Sequence, residues 1–306
     1  MTAALAASAA DIRLGIIGTD TSHVPAFTRL FNDTSIADHV SEARVVAAFK
    51  GGSRDLDQSW KRVEQFAEEI RTKWGVEIVP DIETLVATVD AVLLESVDGR
   101  VHLEQARPVI AGHKSLFIDK PLAATLEDAR EIARLARQAG VAWFSSSSVR
   151  FGAIGATMRF SDTKGVSAWG PGPFEAHHYL DLAWYAIHPT EILYTLMGPG
   201  CLEVTRTSST DADVVVGRWK DGRIGTMRAI RPYSDYGAVV YREKEVVESH
   251  PKAAAAVDYR PLAMEMVKFF QTGKSPVPNE ETLEIIAFLD AAQRSKDQGG
   301  MPVALR

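Results

Sequence analysis

The segment Arg13–Gly18 reads RLGIIG, a short apolar run that ends in glycine, and it opens a regular alternation along the first half of the chain. Similar runs follow at Arg44–Phe49, Ala91–Leu94, Ser115–Ile118 and Val141–Ser145. Stretches with the apolar spacing of helices separate them. Short strands that alternate with helices predict a doubly wound parallel sheet of the Rossmann-like α/β class, in which ligands bind beyond the carboxyl ends of the strands.

The second half of the chain follows a different pattern. Glu203–Thr207 and Asp213–Trp219 alternate like strands, Lys220–Arg223 is a hairpin turn signal, and helical patterns close the chain. We therefore predict a Rossmann-like domain over residues 1–150. An α+β domain with a mainly antiparallel sheet follows over residues 151–306.

The composition excludes several classes of protein. Hydrophobic residues make up 46% of the 306 residues and charged residues 24%, the balance of a folded globular chain. A net charge of −6 argues against a nucleic-acid partner. The chain has no apolar run long enough for a membrane span, and the single cysteine, Cys201, fits a reducing, cytoplasmic compartment. Residues 1–10 lack the basic start of a signal peptide and predict a frayed arm.

The first loop at the predicted carboxyl edge is Gly18–His23, which reads GTDTSH. A dinucleotide fingerprint would place glycine at positions 18, 20 and 23, and only Gly18 is present. Asp20 brings bulk and negative charge to the position where backbone approaches a pyrophosphate, and two like charges about 4 Å apart cost on the order of 1 to 4 kcal/mol. Two interpretations stay open: the loop binds no pyrophosphate, or it is displaced.

The second loop, Lys50–Arg54, follows the second predicted strand and lacks the acidic residue that usually binds a ribose. Lys50, Ser53 and Arg54 are suited to hold a 2′-phosphate, which favours NADP over NAD. A solvated basic turn is the alternative.

Two charged residues end predicted strands at the same edge. Lys120, in the sequence Asp119-Lys120-Pro121, is held extended by the proline that follows it, so it can polarise a substrate oxygen or orient a nicotinamide. Glu95 ends an apolar strand, and such a carboxylate is either a catalytic or ligand-binding group or the partner of a buried cation.

The segment His177–Glu191 is the densest polar and aromatic cluster in the chain. In a helix, Trp184, His188 and Glu191 would share one face. Asp181 precedes Trp184 by three residues. The spacing of possible ligands in this segment matches no compact zinc signature, so we expect no metal.

Taken in order, these loops resemble the glucose–fructose oxidoreductase/inositol dehydrogenase (Gfo/Idh/MocA) family, over nearly the whole chain. The resemblance rests on Gly15–Gly18, Ser96–Asp98 with His102, Gly112–Lys114 leading to Asp119–Leu122, Arg150–Phe151, Ala186–Pro189, and the hairpin around Trp219 and Gly222. The family's usual Glu-Lys-Pro is Asp119-Lys120-Pro121 here. Its general-base histidine corresponds to His188, and Trp184 replaces the aspartate that usually partners it; Asp181 is a candidate substitute.

The loops and the resemblance together define three groups of candidate residues. The catalytic group is Lys120, His188 and Asp181. The cofactor-binding group is Gly18, Thr19, Asp20, Lys50, Ser53, Arg54, Ser96, Asp98, His102, Asp119 and Lys120. The substrate-binding group is Arg150, His178, Trp184, Tyr185 and Glu191.

The resemblance implies an NAD(P)-dependent oxidoreductase that acts on a secondary hydroxyl or keto group of a sugar, polyol or sugar acid. His188 would take the hydroxyl proton, because a histidine pKa near 6.5 suits that role at neutral pH, and Lys120 would hold the same oxygen. The alternatives are a carbohydrate lyase, hydrolase or isomerase without a redox step, and a ligand-binding protein without catalysis; in either case the cofactor need not bind. The family also implies a homo-oligomer, a dimer or tetramer, paired through the open face of the second sheet.

Overall fold

The computed structural model describes residues 11–306, apart from the side chains of residues 253 and 254, so the expected N-terminal arm lies outside the described residues. The first sheet has six parallel strands in the order β3-β2-β1-β4-β5-β6. Their bounds are β1 (Ile12–Ile17), β2 (Ala43–Phe49), β3 (Glu77–Val79), β4 (Ala91–Leu94), β5 (Ser115–Ile118) and β6 (Trp143–Ser145). The predicted Rossmann-like sheet is confirmed, and its strand order reverses between β1 and β4.

Helices connect these strands and cover both faces of the sheet. They are α1 (His23–Asn32), α2 (Asp57–Trp60), α3 (Val63–Trp74), α4 (Ile82–Thr88), α5 (His102–Ala111) and α6 (Leu126–Ala139). Helix α6 shows how local sequence sets such bounds. The Thr125 hydroxyl accepts a hydrogen bond from the Asp128 amide at its start, and Gly140 ends it with a left-handed backbone.

The second half of the chain forms a seven-stranded sheet in the order β12-β11-β7-β10-β9-β8-β13, antiparallel except for the parallel pair β7 and β10. This confirms the predicted α+β architecture. The elements in chain order are α7 (Ala153–Thr157), β7 (Thr163–Pro171), α8 (Ile187–Met197), β8 (Cys201–Ser208), β9 (Ala212–Trp219), β10 (Ile224–Ile230), β11 (Gly237–Arg242), β12 (Val246–Ser249), α9 (Ala253–Ala256), α10 (Tyr259–Thr272), α11 (Asn279–Asp297) and β13 (Val303–Ala304).

Strand β7 is absent from the sequence prediction because glycine and proline interrupt its pattern. The structure shows why glycine is needed. A Cβ on Gly165 would lie 2.8 Å from the Ile224 carbonyl oxygen, and one on Gly170 would lie 2.7 Å from the Tyr236 ring. Close packing of its glycines against neighbouring groups, rather than residues of high β-propensity, therefore determines this strand.

The two halves share their hydrophobic core. Helix α8 is buried on all sides and packs on β7 and β10, while α11 packs on α6 and β6 of the first half. Helix α10 packs on α1, and its Phe269 ring lies 4.8 Å from that of Phe144. Between residues 11 and 306, no helix is long and apolar enough to cross a membrane.

Candidate active site

A cavity of about 230 Å³ opens at the carboxyl ends of β1, β4 and β5, facing the start of α8. This edge adjoins the reversal of strand order, where doubly wound folds bind their ligands. The polar residues on its walls include His23, Arg62, Lys120, Tyr185, His188 and Tyr259. Lys120 of the first half and His188 of the second thus line one cavity.

Lys120 follows β5 and is nearly buried, with its Nζ 3.7 Å from Oδ2 of Asp119. Burial alone would raise the pKa of Asp119, but the charges of His23 and Lys120 outweigh it and lower that pKa. Asp119 therefore stays ionised beside the ammonium group. Lys120 itself lines the cavity, so its Nζ can bind an oxygen of a ligand there.

His188 lies in the first turn of α8, and its Nδ1 is 2.7 Å from the Ser147 hydroxyl. Burial lowers its pKa well below 6.5, and the positive charge of Lys120 lowers it further. The imidazole is therefore neutral near pH 7. In the tautomer whose Nδ1–H donates to Ser147 Oγ, Nε2 keeps a free lone pair and can accept a proton.

Tyrosines supply much of the remaining polar wall, and Tyr185 is the one that the sequence placed in the substrate-binding group. Tyr236 and Tyr259 also line the cavity. Burial raises the pKa of all three phenols, so each keeps its proton and can donate a hydrogen bond. The Tyr185 and Tyr236 rings pack edge-on against His188. A wall of this kind suits a ligand rich in hydroxyl groups.

Three further side chains meet beside the cavity: His23 at the start of α1, Glu95 after β4 and Asp119 after β5. His23 Nδ1 lies 2.8 Å from Asp119 Oδ2 and 3.9 Å from Glu95 Oε2. Burial and the neighbouring Asp119 raise the pKa of Glu95 well above 4.5. Sequence analysis singled out Glu95 but missed His23, although its place in the first carboxyl-edge loop was the available signal.

The first predicted cofactor loop does not face an open cleft. Thr19 and Asp20 are fully buried. Asp20 accepts hydrogen bonds from the Ser59 hydroxyl at 2.5 Å and the Val97 amide at 3.0 Å, and burial raises its pKa despite them. A Cβ on Gly18 would lie 2.5 Å from the backbone nitrogen of Ser96. Because Gly18 has no side chain, the loop after β1 can pack directly against the loop after β4. In a dinucleotide fingerprint, by contrast, glycine lets the backbone approach a pyrophosphate.

The segment 51–59, which we call the β2 loop, crosses the end of β1 and is fastened to the loop after β4. The Ser53 hydroxyl donates to Asp98 at 2.5 Å, and Arg100 forms a two-point pair with Asp55 at 2.8 and 3.0 Å. Leu56 packs in a small apolar cluster with Val97 and Trp184. Asp98 has a lowered pKa, because its bonds to His178, Arg100 and Ser53 outweigh the effect of burial.

The remaining cofactor candidates are also engaged elsewhere. Lys50 pairs with Glu64 at 2.7 Å, and Arg54 stacks over Trp60. His102 is fully buried between the carbonyl oxygens of Ser96 and Leu122. As placed, Lys50, Arg54 and His102 therefore bind other groups of the chain, and their assignment to the cofactor stays a prediction.

Two other expectations are corrected. Asp181 accepts hydrogen bonds from Arg206 at 2.7 and 3.0 Å and from Lys296 at 2.6 Å, so it does not partner His188. His178 is bonded to Asp98 at 3.0 Å and is buried away from the cavity. Trp184 and Tyr185 do line the cavity, as expected of substrate-binding residues.

Arg150 and Glu191, expected to bind substrate, form a buried ionic cluster instead. Arg150 donates to Glu191 at 2.6 Å and to Glu281 on α11 at 2.7 Å. Burial raises the pKa of Glu191, although Arg150 opposes the rise. Since neither residue lines the cavity, they join the elements around the site rather than contact a ligand.

Comparison with known proteins identifies the first domain. Residues 12–146 match the model of the Gfo/Idh/MocA family, described as an oxidoreductase family with an NAD-binding Rossmann fold. The match confirms, over these residues, the resemblance seen in the sequence.

Individual relatives agree with this assignment. A 1,5-anhydro-D-fructose reductase of Ensifer adhaerens is 39% identical over 89 residues, 28% of this chain and 26% of the relative, so the match spans about a quarter of that enzyme. A probable dehydrogenase from Thermotoga maritima superposes with a TM-score of 0.77 at 19% identity, covering 96% of this chain and 99% of the other. A myo-inositol dehydrogenase from Lactobacillus casei, in complex with NAD(H) and myo-inositol, superposes with a TM-score of 0.72 at 18% identity, covering 97% of each chain. The two structural matches show a shared fold over nearly the full length.

Proposed function

We propose that the protein is an oxidoreductase that acts on a CH–OH or keto group of a sugar, polyol or sugar acid. The observation that supports this most directly is the placement of Lys120 and His188 on one cavity, at the edge of a sheet whose residues match an NAD-binding oxidoreductase family. At about 230 Å³ the cavity is smaller than the sites that enclose drug-sized ligands, so it suits one small molecule.

The chain's own residues carry out the proton chemistry. Lys120 binds the reacting oxygen and stabilises the negative charge that develops on it. The neutral His188 accepts the hydroxyl proton at Nε2, and Ser147 holds the ring in place through Nδ1. Phenol groups of Tyr236 and Tyr259 donate hydrogen bonds to the other hydroxyls of the substrate. Removal of this proton is a step that redox and non-redox reactions at such a carbon share.

A non-redox reaction on the same class of substrate is the second candidate, and the β2 loop favours it. Ser53 and Asp55 of the loop bind Asp98 and Arg100, and Gln58 and Arg62, at its end and just beyond, line the cavity. Residues of the chain, rather than a cofactor, therefore form that wall of the cavity. An isomerase or lyase would use Lys120 and His188 without a hydride acceptor. NADP rather than NAD stays a prediction, although Lys50 pairs with Glu64 and Arg54 stacks over Trp60.

One pair of measurements separates the two candidates. NAD⁺, NADH, NADP⁺ and NADPH are titrated into the protein while tryptophan fluorescence is followed, because Trp60 and Trp184 flank the β2 loop. Dialysed protein is then assayed on a panel of sugars, polyols and sugar acids, with and without cofactor. Saturable cofactor binding and cofactor-dependent turnover support the oxidoreductase. No binding at millimolar cofactor, together with turnover by the dialysed protein, would replace it with the non-redox enzyme.

A further inference from the structure

Three ligand-type side chains converge from three neighbouring strands of the first sheet. His23 follows β1, Glu95 follows β4 and Asp119 follows β5, and these strands are adjacent in the sheet. One donor atom from each lies within 4.8 Å of the other two. Parallel strand ends thus bring together an imidazole and two carboxylates that are far apart in sequence.

The carboxylate of Glu95 has nothing to bind. Its side chain is fully buried, and within residues 11–306 neither of its oxygens has a hydrogen-bond partner. Oδ2 of Asp119 and Nδ1 of His23 are also without one, since their 2.8 Å approach lacks hydrogen-bond alignment. Buried polar atoms in folded proteins are almost always paired, and buried charges are paired or coordinate metals. Since one donor atom from each of the three residues lies within 4.8 Å of the other two, these unpartnered atoms indicate a missing shared partner.

We propose that His23, Glu95 and Asp119 bind one divalent transition-metal ion, with Zn²⁺ and Mn²⁺ as the best matches. Imidazole nitrogen suits Zn²⁺, and carboxylate oxygen suits Mn²⁺ and is accepted by Zn²⁺. Zinc lies about 2.0 to 2.2 Å from such ligand atoms, which places two ligands of one ion roughly 3 to 4 Å apart. The 3.9 Å from His23 Nδ1 to Glu95 Oε2 lies within that range, and the 2.8 Å to Asp119 Oδ2 lies just below it.

Three protein ligands leave coordination positions open toward the cavity. His23 lies on the cavity wall with 13% of its side chain exposed, so an ion beside it is within reach of a small molecule there. A hydroxyl or carbonyl oxygen of that molecule would complete the coordination. The site would therefore bind the polyhydroxylated ligand and the ion together.

Lys120 opposes the ion. Its ammonium group is 3.7 Å from Asp119 Oδ2 and repels a cation. The two carboxylates outnumber this single positive charge, so the site still attracts a cation, but more weakly than a site without the lysine. Replacement of Lys120 by methionine should therefore tighten metal binding, the opposite of what loss of a ligand does.

The test measures binding and needs no turnover. Chelator-stripped protein is titrated with ZnCl₂ and MnCl₂ by calorimetry, metal content after equilibrium dialysis is measured by mass spectrometry, and the melting temperature is recorded with and without ion. We expect one ion per chain and a rise in melting temperature, because the ion binds the folded state. Loss of an outer-shell partner typically costs 10- to 100-fold in affinity, so Glu95→Gln, which removes a ligand, should weaken binding by more than about 100-fold.

Two further variants make the outcome decisive. His23→Gln should weaken binding as Glu95→Gln does, and it serves if the buried substitution fails to fold. Glu175→Gln is the matched control, because Glu175 contacts His177 at 2.6 Å in an exposed pair away from the cavity. Fewer than about 0.1 ions per chain in wild type, or wild-type affinity in both ligand variants, would overturn the proposal. Since these readouts are independent of catalysis, failure here leaves the proposed function standing.

Discussion

His188 is held neutral for two separate physical reasons. Burial removes the water that would solvate an imidazolium, and the ammonium of Lys120 repels the same charge. A base with a lowered pKa keeps its lone pair at pH values where a free histidine would be protonated. In the proposed mechanism, Lys120 therefore both binds the substrate oxygen and helps to keep His188 unprotonated.

Replacement of this base should reduce turnover strongly. His188→Gln keeps a similar size and a hydrogen-bonding group for Ser147 but cannot accept the substrate proton. A positioned general base contributes about 10²- to 10⁴-fold, so kcat/KM should fall by that factor. The assay uses the best substrate from the panel described above. His177→Gln, the same change at a half-exposed histidine bonded to Glu175, should leave kcat/KM unchanged; an equal loss there would remove the role given to His188.

The same residue predicts a pH dependence of known sign. Because its pKa lies below 6.5 in the folded protein, kcat/KM should stay level as the pH falls to about 6.5 and decline only below it. Lys120→Met removes the repelling charge, so the acid limb should move to higher pH. Profiles of kcat/KM against pH for the wild type and for Lys120→Met measure this shift of the acid limb. A limb that moves to lower pH in the variant contradicts the electrostatic coupling.

At the scale of elements, the β2 loop decides what reaches the carboxyl edge of the sheet. Its hold depends on a few polar contacts, chiefly the pair between Arg100 and Asp55 and the bond from Ser53 to Asp98. Arg100 also contacts Asp98 directly, so one guanidinium joins the loop to the rest of the site. Such contacts hold a loop without making it part of the core.

Arg100→Gln should therefore raise the affinity for NAD(H). A hydrogen bond to a charged group contributes about 1.5 to 3 kcal/mol, and partial exposure of Arg100 reduces this contribution. If the substitution lowers the free-energy cost of opening the loop by roughly 1 kcal/mol, cofactor binding should tighten about fivefold. The fluorescence titration described above measures it. Arg134→Gln, which breaks the surface pair with Glu131 on α6, is the control and should change nothing. Weaker binding in the Arg100 variant would mean that the arginine holds the cofactor rather than the loop.

The elements of the first sheet could be predicted because β1, β4 and β5 are short apolar runs, each followed by a chain reversal. Strand β7 could not, since Gly165 and Gly170 are there for close packing and weaken the local signal. Lys120 and His188 could be placed at one cavity from strand ends and family pattern. The bonds that withdraw Asp20 and Asp98 from the cavity could not be predicted, because they depend on how far one loop folds over another.

At the scale of the whole molecule, the outer face of the second sheet exposes several large apolar side chains. Val246, Tyr241, Gly165, Ile224 and Arg218 pair in register across neighbouring strands and so share that face. Val246 is 64% exposed and Ile224 56%. Contiguous exposed apolar residues of this kind mark interaction surfaces, which supports the expected homo-oligomer as a proposal.

A charge placed in this face should separate the subunits. Ile224→Lys introduces an ammonium group that an apolar interface cannot solvate, so sedimentation velocity should show a smaller species than wild type at the same concentration. Lys164→Glu is a suitable control, since its exposed side chain points the other way along β7. Wild-type protein that sediments as a monomer at all concentrations contradicts this prediction.

Helix α10 has a consequence for how the protein can be divided. It comes from the far end of the chain, yet its Leu262, Met266 and Phe269 complete the core that Phe117 and Phe144 begin in the first sheet. A fragment cut after residue 150 would leave those aromatic rings bare to water. The Rossmann-like domain therefore does not form a complete core without α10. We expect both domains to unfold in a single calorimetric transition.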